Sequence, residues 1–431
     1  MASNFIDEMR WRGQVHQITN EDGLRQHLAS RPAHEAVAYC GFDPTAPSLT
    51  IGNLVSIMGL VRWQRAGHTP IAIVGGGTGF IGDPSGKSSE RTLMTAEMID
   101  ANVAGIRRIF EPLLDFGGVS NKAALLNNAD WLTKLSYIDA LRDIGKHFSV
   151  NMMIQKDSVR ERLTNRDQGI SYTEFSYMLL QAYDFDYLHR HHGVTVQFGA
   201  SDQFGNIVCG MDLIGRRQSG AHAFGFTWPL ITKSDGTKFG KTESGAVWLT
   251  ADRTSPYAFY QFWLNAGDDE VVKFLKTFTL LSQDEIAALE AAQKANPGAR
   301  EAQRALARAC TEMIHGPTER DHAEAAAKAL FSGDIAGLPA RTLKEALASA
   351  PSSAHAKTAL EGDGVGLVDF LVQIGLAQSK RESREFLANG SVSVNGRKVG
   401  ADDRLKTSDL LHGETIALRR GKKNWHVTTW G

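Results

Sequence analysis

Three short apolar runs along the chain end in glycine: AVAYCGF (36–42), TPIAIVG (69–75) and VTVQFG (194–199). Runs of this length without polar alternation are what buried parallel strands look like. Between the first two, GNLVSIMGLVRWQRAG sets Leu54, Ile57, Met58 and Val61 on one face of a helix. Strand, helix, strand in that order predicts a right-handed βαβ unit, and so an α/β fold built on a parallel Rossmann-type sheet. In open parallel sheets, ligands bind beyond the carboxyl ends of the strands, beside helix N-termini. The polar loops after Phe42, Val74 and Phe198 are therefore the first places to look for a site.

A different pattern runs through EFSYMLLQAYDFDYL (174–188). It is mostly apolar, yet Tyr177, Gln181 and Asp184 interrupt it at i, i+4 and i+7, which puts all three on one helical face. Ser171 and Glu174 form the S-x-x-E signature of a capping box, so the helix starts there. Residues 270–330 are helical in pattern. From 332 to 364, Ala, Ser, Gly and Pro accumulate, and the stretch reads as a linker with one weak helix. Order resumes with the amphipathic LVDFLVQIGL and the basic SKRESREFLANG. SVSVNGRKV follows, where Asn395-Gly396 between alternating residues predicts a tight hairpin.

Composition adds little until it is divided. The 431 residues carry a formal net charge of −1, with 42% hydrophobic residues. From Val365 onward, however, 11 Lys/Arg face 7 Asp/Glu, while the preceding residues hold 36 against 41. A near-neutral total thus hides a basic tail on an acidic body. Cys40, Cys209 and Cys310 form no C-x-x-C pair, which argues against a disulfide framework and a zinc site. MASNFIDEMRW lacks a basic segment followed by an apolar run, and no apolar run is long enough for a membrane span; a soluble, cytoplasmic protein is expected.

Four loops carry candidate chemistry. GGGTGFIGDPSGKSSER (75–91) resembles a phosphate loop, but the Walker spacing requires Gly where Ile81 stands. It still gathers Asp83, Lys87 and Arg91 after a strand. GFDPTAPSLTIGN (41–53) opens the first helix, whose free amides favour an anion, with Thr45 and Thr50 as hydroxyl donors. KSDGTKFGKTESG (233–245) sets Lys238 and Lys241 among glycines, where they could close over a polyphosphate. FGASDQFGN (198–206) puts Asp202 and Gln203 at the start of another helix, where Asp commonly caps. Taken singly, each is compatible with an ordinary structural turn.

Together they are not. YCGFDPTAPSL, GFIGDPSGKSSERT, GKHFSVNMM, TEFSYMLLQAYDF, SDQFGNI, DGTKFGKTESG and TSPYAFYQFW closely resemble the bacterial tyrosyl-tRNA synthetases, a class I aminoacyl-tRNA synthetase family. The resemblance covers nearly all of 1–325, and the tail is similar to a small RNA-binding module shared with a ribosomal protein. It implies a catalytic nucleotide-binding domain over 1–232 with a connective insertion at about 115–170. A lysine loop and α-helical domain would follow over 233–331, then the linker 332–364 and an α+β RNA-binding domain over 365–431.

The implied activity joins tyrosine to ATP as tyrosyl-adenylate, releasing pyrophosphate, and then esterifies the 3′ end of tRNA. By resemblance Tyr39 and Asp184 receive the substrate phenol, so that phenylalanine would leave Asp184 without its partner. Tyr177, Gln181 and Asp83 face the ammonium, and Gln203 lies beside the carboxyl end. Asp43, Thr45, Thr50 and Asn53 take ATP, Asp202 its ribose, and Lys238 and Lys241 its phosphates; Lys87 and Arg91 help neutralise pyrophosphate. Mg²⁺ is expected on the phosphate oxygens rather than in a protein cage. Lys380, Arg381, Arg384, Arg397 and Lys398, with Arg419, Arg420, Lys422 and Lys423, are expected to meet tRNA. A homodimer is expected, joined through the insertion.

One departure stands out. The family signature His-Ile-Gly-His reads Thr50-Ile51-Gly52-Asn53 here, exchanging two imidazoles for a hydroxyl and an amide. It leaves room for a non-catalytic RNA-binding paralogue, as the shared architecture does for a tryptophanyl-tRNA synthetase. Retained Asp83, Asp202 and both lysines weigh against the former, and the Tyr39/Asp184 pair against the latter.

Overall fold

The computed structural model describes residues 4–431 except 84–93, 157–158, 161–162, 164–168, 233–238, 243–244, 349 and 422–423, with the backbone alone at 241–242. Lys87, Arg91, Lys238, Lys422 and Lys423 therefore lie outside the described residues, as does the Lys241 side chain. The chain divides into two units: Met1–Arg253 with Ala266–Leu306, and Thr254–Asn265 with Ala307–Gly431.

The first unit is built on a six-stranded sheet. Its strands are β1 (Gln17–Ile18), β2 (Val37–Phe42), β3 (Thr69–Val74), β4 (Ala124–Asn127), β5 (Val194–Ala200) and β6 (Phe224–Trp228), ordered β1-β6-β5-β2-β3-β4. All neighbours pair in parallel except β1 on β6. The three glycine-ended runs become β2, β3 and β5. Chain order reverses between β2 and β5, so the crevice at their carboxyl ends is the topological switch point where such sheets bind ligands.

Side chains of the sheet feed two cores. Tyr39 packs with Ile71, Ile73, Phe185 and Leu188 under the helix Tyr172–His192. On another side, Phe5, Trp63, Phe198 and Phe226 form an aromatic cluster with centroids 4.9 to 5.7 Å apart. Each such buried ring contributes about 1.5–3 kcal/mol of transfer free energy. The helix Ile51–Arg65 carries Trp63 and ends near Arg62, a buried guanidinium that donates to the carbonyls of Lys276, Thr277 and Thr279. Those acceptors close the helix Val271–Phe278, whose last carbonyls have no intrahelical donor.

The second unit corrects the linker expectation for 332–364. Ser352–His355 is a strand that pairs in parallel with Val427–Trp430, extending the sheet formed by Val392–Val394, Arg397–Lys398, Thr415–Arg420 and Asn424–Trp430. Ile335, Leu338, Leu343, Ala346 and Leu347 are buried with Ala417, beside Trp425 and Val427. The small-residue composition reads as loop, but Leu343, Ala346 and Leu347 share one helical face, and their burial decides the outcome. The expected 233–331 domain is likewise divided, since Val271–Phe278 and Gln283–Ala295 belong to the first unit. The hairpin forms as expected: Val394 pairs with Arg397, and Asn395 and Gly396 take φ of 47° and 91°, the left-handed pair a two-residue turn demands. Among the described residues, no helix is long and apolar enough to cross a membrane.

Candidate active site

The loops after β2, β3 and β5 enclose a cavity of about 330 Å³ with the helix Tyr172–His192. Ser171 accepts from the Glu174 amide and starts that helix, while Gly193, at φ 66°, ends it. Its Tyr177, Gln181 and Asp184 all line the cavity, as their spacing predicts. So do Tyr39, Asp43, Thr45, Asn53, Asp83, Asp202 and Gln203. Residues up to 164 positions apart thus meet in one site. No Lys, Arg or His stands among the described lining residues, so the wall is acidic and suits an ammonium group.

At the floor, Asp184 is buried, and both its oxygens already accept hydrogen bonds. Trp131 Nε1 donates to Oδ1 at 2.7 Å and Asn128 Nδ2 to Oδ2 at 2.8 Å. Burial pushes the carboxyl up to about 7, against those two donors and with help from the Asp43 charge. The expectation that phenylalanine would strand Asp184 is therefore corrected: the carboxylate has partners of its own. Two groups of lining residues lack a hydrogen-bond partner among the described residues, the buried Tyr39 hydroxyl and the buried Gln197 Oε1, and the former belongs to the expected phenol site. Burial, then the nearby Asp184 charge, raises the Tyr39 phenol well above its ordinary value, so it stays protonated.

Midway, Tyr177 donates its hydroxyl to Asp43 Oδ2 at 3.0 Å, and Thr78 donates to Asp43 Oδ1 at 2.9 Å. A second chain runs beside it: Gln203 Nε2 to Asp83 at 2.7 Å, Gln181 Nε2 to Gln203 at 3.2 Å, and Asn206 Nδ2 to Gln181 at 2.9 Å. Asp202 does not cap the helix Phe204–Arg217 as expected. It sits in a short 3₁₀ turn, Ser201–Gln203, ahead of that helix and on the cavity wall.

At the mouth, Thr50 precedes the helix Ile51–Arg65. Its hydroxyl and its amide both donate to Asn53 Oδ1, each at 3.0 Å. Gly52 and Asn53 line the cavity, but Thr50 does not. The lysine-bearing segment is tied to this helix start. Ile51 N donates to Val247 O at 3.1 Å and Leu249 N to Leu49 O at 2.9 Å, while Phe239 packs on Phe274 and Phe278. The backbone of Lys241 pairs with Ala246 in the same segment.

Asn128, Trp131 and Thr78 are missed by the sequence reading. Asn128 and Trp131 follow β4, a four-residue strand too short to stand out. Among the described residues, no group of three or more His, Cys, Asp or Glu side chains could hold a metal ion.

In the second unit, Lys380, Arg381, Arg384, Arg397 and Lys398 are all exposed. Lys380 pairs with Asp369 at 2.8 Å and Arg397 with Asp409 at 3.3 Å. Arg419 and Arg420 are instead half-buried. Arg420 stacks 4.9 Å over Phe386 and donates to Leu376 O. Arg419 likewise donates to the carbonyls of Leu330 and Ser332, so both arginines brace the module.

A parallel sheet with an acidic crevice at its switch point is an architecture that hosts many activities, and likeness to known proteins narrows them. The model for tRNA synthetases class I (W and Y) matches residues 31–332. A model of the tyrosine–tRNA ligase C-terminal domain matches 344–428. The tyrosine–tRNA ligase of Roseiflexus castenholzii is 49% identical over 99% of both chains, and that of Bacillus caldotenax 49% over 98% of this chain and 99% of its own. A C-terminally truncated mitochondrial tyrosyl-tRNA synthetase of Aspergillus nidulans superposes with a TM-score of 0.69 at 30% identity, covering 76% of this chain and 94% of its own. The chain belongs to the tyrosyl-tRNA synthetase family of class I.

Proposed function

We infer that this chain is a tyrosine–tRNA ligase, which activates tyrosine with ATP and transfers it to tRNA. The carrying observation is the cavity floor, where a buried, unpartnered Tyr39 hydroxyl stands beside a carboxylate with lone pairs to spare. A substrate phenol answers both: it donates to Asp184, and its oxygen accepts from Tyr39. Each carboxylate oxygen has two lone pairs, so Asp184 can accept the phenol while keeping Asn128 and Trp131. A tyrosine so seated directs its ammonium to Tyr177, Gln181 and Asp83, in the acidic wall, and its carboxylate toward Gln203.

In the reaction, the substrate carboxylate attacks the α-phosphorus of ATP, a bond to the bridging oxygen breaks, and pyrophosphate leaves. No protein nucleophile or general base is needed, so the residues act by positioning and by stabilising phosphate charge. Asp202 holds the ribose hydroxyls; Asp43, Thr45 and Asn53 line the path from β2 to the helix start. Asp43 does so while accepting from Tyr177, so it links the tyrosine wall to the nucleotide loop. Lys238, Lys241, Lys87 and Arg91 supply the cations the described wall lacks. Mg²⁺ would be held on the ATP phosphate oxygens rather than by a protein cage, and would offset their negative charge.

Thr50 takes a different part from the histidine it replaces. Its side chain is committed to Asn53, which orients the Asn53 amide toward the cavity; phosphate contact falls to Thr45 and the lysines. Tyrosine-dependent exchange of pyrophosphate into ATP tests this reading. Robust exchange is expected with Thr50 and Asn53 in place. Absence of exchange, with tyrosine still binding, would instead indicate a paralogue without catalysis.

The homodimer is proposed through the insertion. Tyr137, Ile138, Leu141 and Val150 are large apolar side chains left exposed there, and exposed Tyr172, just beyond the insertion, shares a hydrogen bond with Tyr137. An apolar patch of this kind marks a protein interface. The exposed cations of the second unit suit phosphate, with affinity that falls as salt rises.

A further inference from the structure

We propose that Phe331 is a stacking platform for an unpaired base of the tRNA substrate; the proposal rests on the tRNA ligase reading. Phe331 is 90% exposed, the most exposed large apolar side chain among the described residues. A lone exposed ring is ordinary. What sets this one apart is how firmly its backbone is held and what lies beside it.

The carbonyls on either side, of Leu330 and Ser332, both accept from the guanidinium of Arg419, at 3.4 and 3.3 Å. Gly333, at φ 93°, passes so close beneath that guanidinium that an added Cβ would lie 2.1 Å from Nη2. The turn of the basic hairpin then rests on Gly333: a Cβ on Gly396 would meet the Gly333 carbonyl at 2.2 Å. Phe331 is thus pinned at the end of a helix against the turn that presents Arg397 and Lys398, both exposed. An exposed aromatic ring on a braced backbone, touching a turn that carries cations, suits single-stranded nucleic acid, the ring taking a base and the cations its phosphates. The excess of basic residues from Val365 onward selects a polyanion over a second copy of the chain as the occupant.

The test compares Phe331→Ala, Phe331→Leu and Phe331→Trp in the full chain, reading KM for tRNA in aminoacylation, pyrophosphate exchange and sedimentation. Ala and Leu are expected to raise KM for tRNA on the order of 5- to 100-fold, the span that loss of one stacked base implies. Trp should keep KM near the unaltered value, and exchange and sedimentation should not move. Arg397→Ala should instead reduce the salt dependence of tRNA binding by about one unit of slope. The proposal is overturned if Ala leaves KM for tRNA within about twofold, if Leu restores it as well as Trp, or if Ala changes the oligomeric state. Failure of the underlying reading looks different: the unaltered chain would then not charge tRNA at all.

Discussion

Asp184 illustrates how a side chain's neighbours change its meaning. Its place on the polar face of the helix Tyr172–His192 is legible from the i, i+4, i+7 spacing with Tyr177 and Gln181. Its partners are not, because Asn128 and Trp131 arrive from a segment 53 to 56 positions away with no periodic signal of its own. Burial raises the Asp184 carboxyl to about 7, so below that pH the free protein holds a proton there. A phenol donating to the ionised form displaces this proton, so tyrosine binding releases it. Affinity should then weaken as pH falls below 7, approaching tenfold per unit, and level off above it. The dependence is measurable as KM for tyrosine in exchange between pH 5.5 and 8.5. Asp184→Asn should flatten it; an unchanged slope in that variant would assign the titration elsewhere.

Among the elements, the strands were recognisable wherever an apolar run ended in glycine, since burial on both faces removes polar alternation. Their loops were recognisable as site loops because the parallel topology dictates where ligands bind. What could not be read was how tightly these loops interlock. Gly75, directly after β3, sits where an added Cβ would lie 2.3 Å from Asp43 Oδ1 and 2.5 Å from Thr78 Oγ1. Those two atoms are hydrogen-bonded to each other, and Asp43 also receives Tyr177. Gly75→Ala must therefore displace the Asp43 carboxylate and weaken at least one of these bonds. A loss of one bond to a charged group, about 1.5–3 kcal/mol, should lower kcat/KM for exchange by roughly tenfold or more. Kinetics near those of the unaltered chain would show that the Asp43 junction does not position substrate.

For the whole molecule, division into a catalytic body and a basic RNA-binding tail was legible from charge and from resemblance, but the place of division was not. Residues 332–364 look like a linker because Ala, Ser, Gly and Pro dominate them. Yet Ser352–His355 completes a sheet, and Leu343 and Leu347 are buried beside Trp425 and Val427. Ending the chain at Gly364 would leave that strand unpaired and those leucines uncovered, an edge prone to association. Ending it at Gly333 removes strand and partner together. The shorter chain is expected to keep exchange activity, lose most tRNA charging and stay better dispersed in sedimentation than the longer one. Better behaviour of the Gly364 chain would restore the linker.

The account stands on the Tyr39 hydroxyl reading a phenol at the cavity floor, and exchange kinetics with tyrosine and phenylalanine in the unaltered chain and in Tyr39→Phe test it most directly. A buried hydroxyl left unbonded costs about 1–3 kcal/mol, so removing it should shrink the preference for tyrosine over phenylalanine by roughly 5- to 100-fold, with most of the change in KM. A preference that survives Tyr39→Phe undiminished would contradict the claim.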